Sequence, residues 1–162
     1  MIEIDPGAKV SPLADIEDSV RGTRIVIADR VVIDAFVKIK PVGGMGDLLI
    51  GAGSIINSGC VLYTGNGIVI GKDVLIAANC TFAPVNHEYS RRDVAINKQG
   101  FRPSKGGIAI GDDVWIGANC VILDGATIGD GCVVAAGSIV RGRLDPYVLY
   151  GGNPLVTLGQ RR

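Results

Sequence analysis

The only histidine of this chain, His87, lies in the run PVNHEYSRRD, where the regularity of the flanking sequence stops. An imidazole has an unperturbed pKa of about 6.5, so near neutral pH it is mostly uncharged and able to accept a proton. These properties make His87 either a candidate general base, provided that a rigid element holds it beside a reacting group, or a solvated loop histidine. Its neighbour Glu88 either orients the imidazole, at the edge of a substrate site, or is an exposed charge beside it. Arg91, Arg92, Lys98, Arg102 and Lys105 make the same stretch basic, which is either solvated surface or a draw for an anionic ligand.

What must position His87 is a repeat. Isoleucine or valine returns every sixth residue, most cleanly at Ile110, Ile116, Ile122, Ile128, Val134 and Val140. Neither the helical period nor the strand period gives that spacing, whereas a chain wound into a β-solenoid does, with each hexad forming one flat side. Counting the aliphatic residue as position one, position five is small throughout: Ala8, Ala14, Val20, Val31, Val37, Ser54, Cys60, Val74, Cys80, Val114, Cys120, Ala126, Cys132 and Ser138. Positions one and five therefore both point inward. Position four is mostly Gly, Asn or Asp, with Leu13, Ser19, Arg30 and Phe36 as exceptions. Those types tolerate positive φ, so a bend falls once per hexad and three bends close a triangular turn of about 18 residues.

This register assigns the four cysteines, Cys60, Cys80, Cys120 and Cys132, to the core as small apolar residues, and no CxxC or Cys/His metal spacing is present. The repeat pauses from Pro41 to Asp47 and slips at the TGNG corner near Tyr63. It vanishes from Pro84 to Gly107, and stretches this long in a compact domain are usually functional or disordered. The expected organisation is a solenoid over 1–140, an extruded catalytic loop at about 84–107, and a tail over 141–162 with a last extended segment and turn. A formal net charge of +0 gives no electrostatic case for nucleic acid. No signal peptide and no apolar run long enough to span a bilayer are visible, so a cytoplasmic protein without membrane insertion is expected.

The repeat, the loop histidine in APVNHEY, the segment IAIGDDVWIGANCVILDGATIGDGCVVAAGSIV and the closing GGNP together resemble the hexapeptide-repeat acyltransferases. Within that family the chain looks most like the galactoside, maltose, xenobiotic and polysaccharide O-acetyltransferases. The resemblance implies an all-β fold, a left-handed parallel β-helix, although parallel crossovers are otherwise right-handed. It also implies a homotrimer with acetyl-CoA lying between subunits as acyl donor, and no required metal. Carried onto matching positions, it makes His87 the catalytic base and Asn57 a substrate-facing residue; Asn57 also reads as an ordinary corner residue. Ala118 and Ala136 would line the pantetheine groove, or are simply small wall residues. Arg141 and Arg143 fall near the nucleotide end, where a guanidinium suits a phosphate. Trp115 follows an inward residue and should face outward, against the loop or a neighbouring subunit.

The implied activity is transfer of an acetyl group from acetyl-CoA to a sugar hydroxyl, in surface polysaccharide or lipopolysaccharide biosynthesis. N-acetylation of an amino sugar, free or nucleotide-linked, is the alternative within the family, and a non-catalytic β-helix scaffold is the alternative outside catalysis. A γ-type carbonic anhydrase would share the solenoid but needs three zinc-binding histidines, and this chain has one.

Overall fold

In the computed structural model, which describes residues 1–162, each hexad becomes a two- or three-residue strand followed by a bend. The strands stack in parallel into three walls. The first wall holds Ile2–Ile4, Ile25–Ile27, Leu48–Ile50, Ile68–Ile70, Ile108–Ile110, Thr127–Ile128 and Arg143–Leu144. The second holds Lys9–Val10, Val32–Ile33, Ile55–Ile56, Leu75–Ile76, Trp115–Ile116, Val133–Val134 and Val148–Gly151. The third holds Asp15–Ile16, Lys38–Lys40, Val61–Tyr63, Thr81–Ala83, Val121–Leu123 and Ile139–Val140.

Like slots stack on like: Ile76 pairs with Ile56 and Ile116, and Phe82 with Leu62 and Ile122. The inward residues form one continuous core of 29 buried side chains running the length of the prism. Each fully buried aliphatic contributes about 1.5–3 kcal/mol relative to exposure, so the column carries the fold. At the corner between the second and third walls, Cys60, Cys80 and Cys120 are buried and free. Each thiol donates to a carbonyl of the next coil, Cys60 to Ala77 at 3.1 Å, Cys80 to Gly117 at 3.2 Å and Cys120 to Ala135 at 3.2 Å. The small inward slot is thus filled and its one polar hydrogen satisfied.

From Arg30 onward the bends adopt positive φ at position four, including at Arg30 (φ 55) and Phe36 (φ 62), where the residue type did not announce it, whereas Gly7, Leu13 and Ser19 in the first coil do not. The hexad ending at Val20 behaves differently. Val20 is 99% exposed and the segment 17–24 leaves the wall. Six residues beyond Ile16 stands Gly22, which offers no aliphatic side chain to anchor a rung, and the Ser19 hydroxyl instead accepts the N–H groups of Arg21 and Thr23. Beyond Val140 the walls continue. After Val148–Gly151 the chain turns back through residues 152–155, and Val156–Gln160 adds an antiparallel strand to the second wall.

Candidate active site

The strand Thr81–Ala83 ends at the corner between the third and first walls, and the chain departs there and returns at Gly107. The excursion between them is an ordered hairpin. The Glu88 N–H donates to the Gly100 carbonyl at 3.0 Å and the Arg102 N–H to the Asn86 carbonyl at 2.8 Å, framing the antiparallel pair His87 and Phe101. Residues facing each other in this kind of pair lie close and on one side of the ribbon. Accordingly the His87 and Phe101 rings pack against each other with centroids 4.7 Å apart and planes tilted by 37°, while the imidazole stays exposed. An aromatic partner restricts the ring without capping its nitrogens, which is the condition a general base needs.

The hairpin end is tied by side chains. Gln99 Nε2 donates to the carbonyls of Arg91 and Val94, and Gln99 Oε1 accepts the Arg91 N–H, around the short 3-10 turn Ile96–Lys98. Glu88 Oε1 accepts the N–H groups of Tyr89 and Ser90, both at 2.8 Å, and lies 3.5 Å from Arg102 Nη2. The Ser90 and Tyr89 donors and the Arg102 charge hold this carboxyl below the usual glutamate range. Glu88 thus braces the ribbon. Arg102 in turn lies over the Tyr89 ring, 4.1 Å from its centroid.

Where the excursion rejoins the prism, the buried Asp124 accepts the N–H of Gly107 at 2.9 Å and of Lys105 at 2.8 Å, and the Asn66 side-chain amide at 3.3 Å. Under the ribbon opens a cleft of about 660 Å³, lined by Asn86, Tyr89, Arg102, Lys105, Asp124 and Arg141 among others.

The other expected site residues divide between corners. Asn57 sits at the bend between the second and third walls, with Nδ2 donating to the Ile76 carbonyl at 2.7 Å. Ala118 and Ala136 continue that same corner, since the Gly137 N–H reaches the Ala118 carbonyl and the Asn119 N–H reaches Ala78. His87, Glu88 and Arg141 belong to the corner between the third and first walls. Within one chain the two groups are therefore separated by the third wall. Arg143 is exposed beyond the cleft and faces Asp145 at 3.9 Å. Trp115 points outward, half exposed, in register with Leu75 and Ile55. No cluster of three His, Cys, Asp or Glu suited to a metal occurs, and no helix is long and apolar enough to cross a membrane.

Sequence reasoning did not single out Phe101, Tyr89 or Asp124. A lone phenylalanine in a polar stretch was the visible signal for Phe101. Asp124 carried none, because its partners Lys105 and Gly107 are met only once the excursion has closed.

Residues 107–142 match the bacterial transferase hexapeptide model of six repeats. Over that stretch the chain carries the hexapeptide repeat of the bacterial transferases. Among solved structures, it is similar to a hexapeptide-repeat-containing acetyltransferase from Vibrio cholerae complexed with acetyl coenzyme A, at 28% identity, with a TM-score of 0.65 over 100% of this chain and 70% of that one. It is also similar to variants of AntD, an N-acyltransferase from Bacillus cereus. One, in complex with dTDP and coenzyme A, has 23% identity and a TM-score of 0.81 over 99% of this chain and 84% of that one. Another, with dTDP-4-amino-4,6-dideoxyglucose and coenzyme A, has 24% identity, a TM-score of 0.83 and the same coverage. These matches identify the triangular solenoid as a left-handed parallel β-helix.

Proposed function

We propose that this chain transfers an acetyl group from acetyl-CoA to a hydroxyl of a sugar, with His87 as general base. The observation that supports the reading most is the exposed imidazole packed against Phe101 at the root of an ordered excursion. His87 takes the proton of the attacking hydroxyl as its oxygen bonds to the thioester carbonyl carbon. The tetrahedral oxyanion collapses, the carbon–sulfur bond breaks, and the imidazolium returns the proton to the departing thiolate. Backbone N–H groups aimed at the oxyanion stabilise it. The nucleophile is the acceptor itself, because all four cysteines are buried in the core.

The division of residues between two corners supports an assembly. One copy offers His87 at its third-to-first corner, and a second copy offers Asn57, Ala118 and Ala136 at its second-to-third corner. A head-to-tail contact of unlike surfaces closes into a ring when repeated by rotation, and a three-sided prism suits a homotrimer with three shared sites. The donor then lies along Ala118 and Ala136, where side chains no larger than methyl let a pantetheine arm approach the backbone. Trp115, Leu75 and Ile55 supply apolar area for such a contact.

Transfer to an amine is the second reading, favoured by the likeness to AntD, an N-acyltransferase crystallised with an amino sugar nucleotide. Incubation with acetyl-CoA and a panel of free glycosides, sugar phosphates, nucleotide sugars and their amino counterparts, followed by mass spectrometry, tests both readings. Acetylation of hydroxyl acceptors is the expected result, acetylation restricted to amines selects the alternative, and no acetylated product with any acceptor contradicts catalysis. A biosynthetic role in surface polysaccharide or lipopolysaccharide, in the cytoplasm, follows from that acceptor class.

A further inference from the structure

Of the five basic residues in the excursion, the structure separates two from the rest. Arg91 is spent on Asp93, with Nη2 to Oδ2 at 2.6 Å, while Arg92 and Lys98 are exposed away from the cleft. Arg102 and Lys105 instead line the cleft under the ribbon, and Arg141 meets them there from the prism. Three cations thus converge on a space that also holds one carboxylate. That carboxylate, Asp124, already accepts two backbone N–H groups and the Asn66 amide. Glu88, outside the lining, accepts the N–H groups of Tyr89 and Ser90 and offsets part of the Arg102 charge from 3.5 Å, leaving Lys105 and Arg141 without a carboxylate of their own. Arg102 faces Glu88 only through Nη2, at 3.5 Å, and its buried Nε has no partner. A guanidinium N–H without an acceptor is costly, and the cleft carries more positive than negative charge, so an anion there would complete it.

The structure assigns this cleft as a phosphate-binding subsite, taking a phosphoryl group carried by one of the two substrates; this deepens the acetyl-transfer reading and rests on it. Phosphoryl oxygens match the planar donors of Arg102 and Arg141 and the point charge of Lys105. The subsite lies on the ribbon face opposite His87, because Asn86 and Arg102 flank the His87 and Phe101 pair and so point the other way. An anion bridging Arg102 on the excursion and Arg141 on the prism would also clamp the ribbon that carries the base. If the phosphoryl group belongs to the acceptor, the acceptor is a sugar phosphate or nucleotide-linked sugar rather than a neutral glycoside.

The test is calorimetric titration of the full chain with inorganic pyrophosphate, for the wild type and for Arg102→Met, Lys105→Met, Arg141→Met and Arg92→Met. Loss of one charge-assisted contact should weaken binding by about 10-fold or more in each of the first three. Arg92→Met removes the same charge outside the cleft and should leave the affinity within about 2-fold; an equal loss there would reduce the effect to general electrostatics and overturn the assignment. Lys105→Met, at an exposed side chain, keeps the test valid should Arg102→Met fail to fold. Unchanged pyrophosphate binding in all three cleft variants also overturns it. The source follows from kinetics: a raised KM for phosphorylated but not neutral acceptors marks the acceptor, and a raised KM for acetyl-CoA but not acetyl-pantetheine marks the donor. Because pyrophosphate binding is read without turnover, the subsite can stand even if acetyl transfer fails, and fail even if transfer is found.

Discussion

Removing the carboxylate of Asp124 should release the excursion from the prism. Its two oxygens take the N–H of Gly107, a buried group, and of Lys105, a partly buried one, with the Asn66 amide as a third donor. In Asp124→Ala the Lys105 N–H can turn to water, but the Gly107 N–H remains inside without an acceptor. Hydrogen bonds to a charged group are worth about 1.5–3 kcal/mol and an unsatisfied buried donor costs about 1–3 kcal/mol, so the loss should total about 2.5–6 kcal/mol. For a chain of this length that lowers Tm by roughly 5–24 °C. Asp124→Asn keeps one oxygen for Gly107 while turning an N–H₂ toward other donors, and should fall about midway. The sharper readout is hydrogen exchange, in which the amides of Lys105 and Gly107 lose protection while Ile110 and Ile128 on the first wall keep theirs. Acetyl transfer should fall as well, since a base displaced by about 1 Å can cost roughly 100-fold. Wild-type protection at Lys105 and Gly107 in Asp124→Ala would refute the idea that this carboxylate anchors the loop.

Two further outcomes follow from groups whose titration is displaced. The Glu88 carboxyl lies below its usual range because Ser90 and Tyr89 donate to the charged form and Arg102 faces it. Its stabilisation of the ribbon is therefore complete above the ordinary glutamate pKa of about 4.3 and is lost as pH falls through the lowered value. Hydrogen exchange at Tyr89 and Ser90 should quicken only in acid for the wild type, and Glu88→Gln should show the faster exchange already at neutral pH. The thiols provide the second outcome. The neighbouring Cys80 thiol and burial raise Cys120, burial raises Cys132, and at Cys80, against a lowering by the Cys120 thiol, the Cys60 thiol and burial push the value up to about 11. Cys60 is lowered by the neighbouring Cys80 thiol, but it has no solvent exposure. Native protein at pH 8 should leave all four cysteines unmodified by a disulfide reagent, and denatured protein should release four; rapid native modification of Cys60 would contradict the core assignment.

The prism was legible in the sequence because its core has one period and one small slot, so that Ile116, Cys120 and Ile122 announce their burial by spacing alone. It failed at Val20, where the next anchor is Gly22 and the local serine bonds prevail over the repeat. Arg30 and Phe36 show the converse, with stacking on neighbouring rungs imposing a bend that residue type would not choose. At the site, the excursion and its histidine were visible as an interruption. The ribbon was not, since pairing His87 with Phe101 depends on a Gln99 side chain closing the far end of the hairpin. Nor did the motifs show that Asn57 and His87 occupy different corners of one chain.

The central claim is that His87 removes the proton in acetyl transfer. It is tested most directly by kcat for release of coenzyme A from acetyl-CoA in the presence of an accepted sugar, compared between wild type and His87→Ala at equal folded protein. General-base assistance is worth about 100- to 10,000-fold, so kcat should fall by that factor while Tm changes little. A variant that folds normally and turns over as the wild type does would contradict the account.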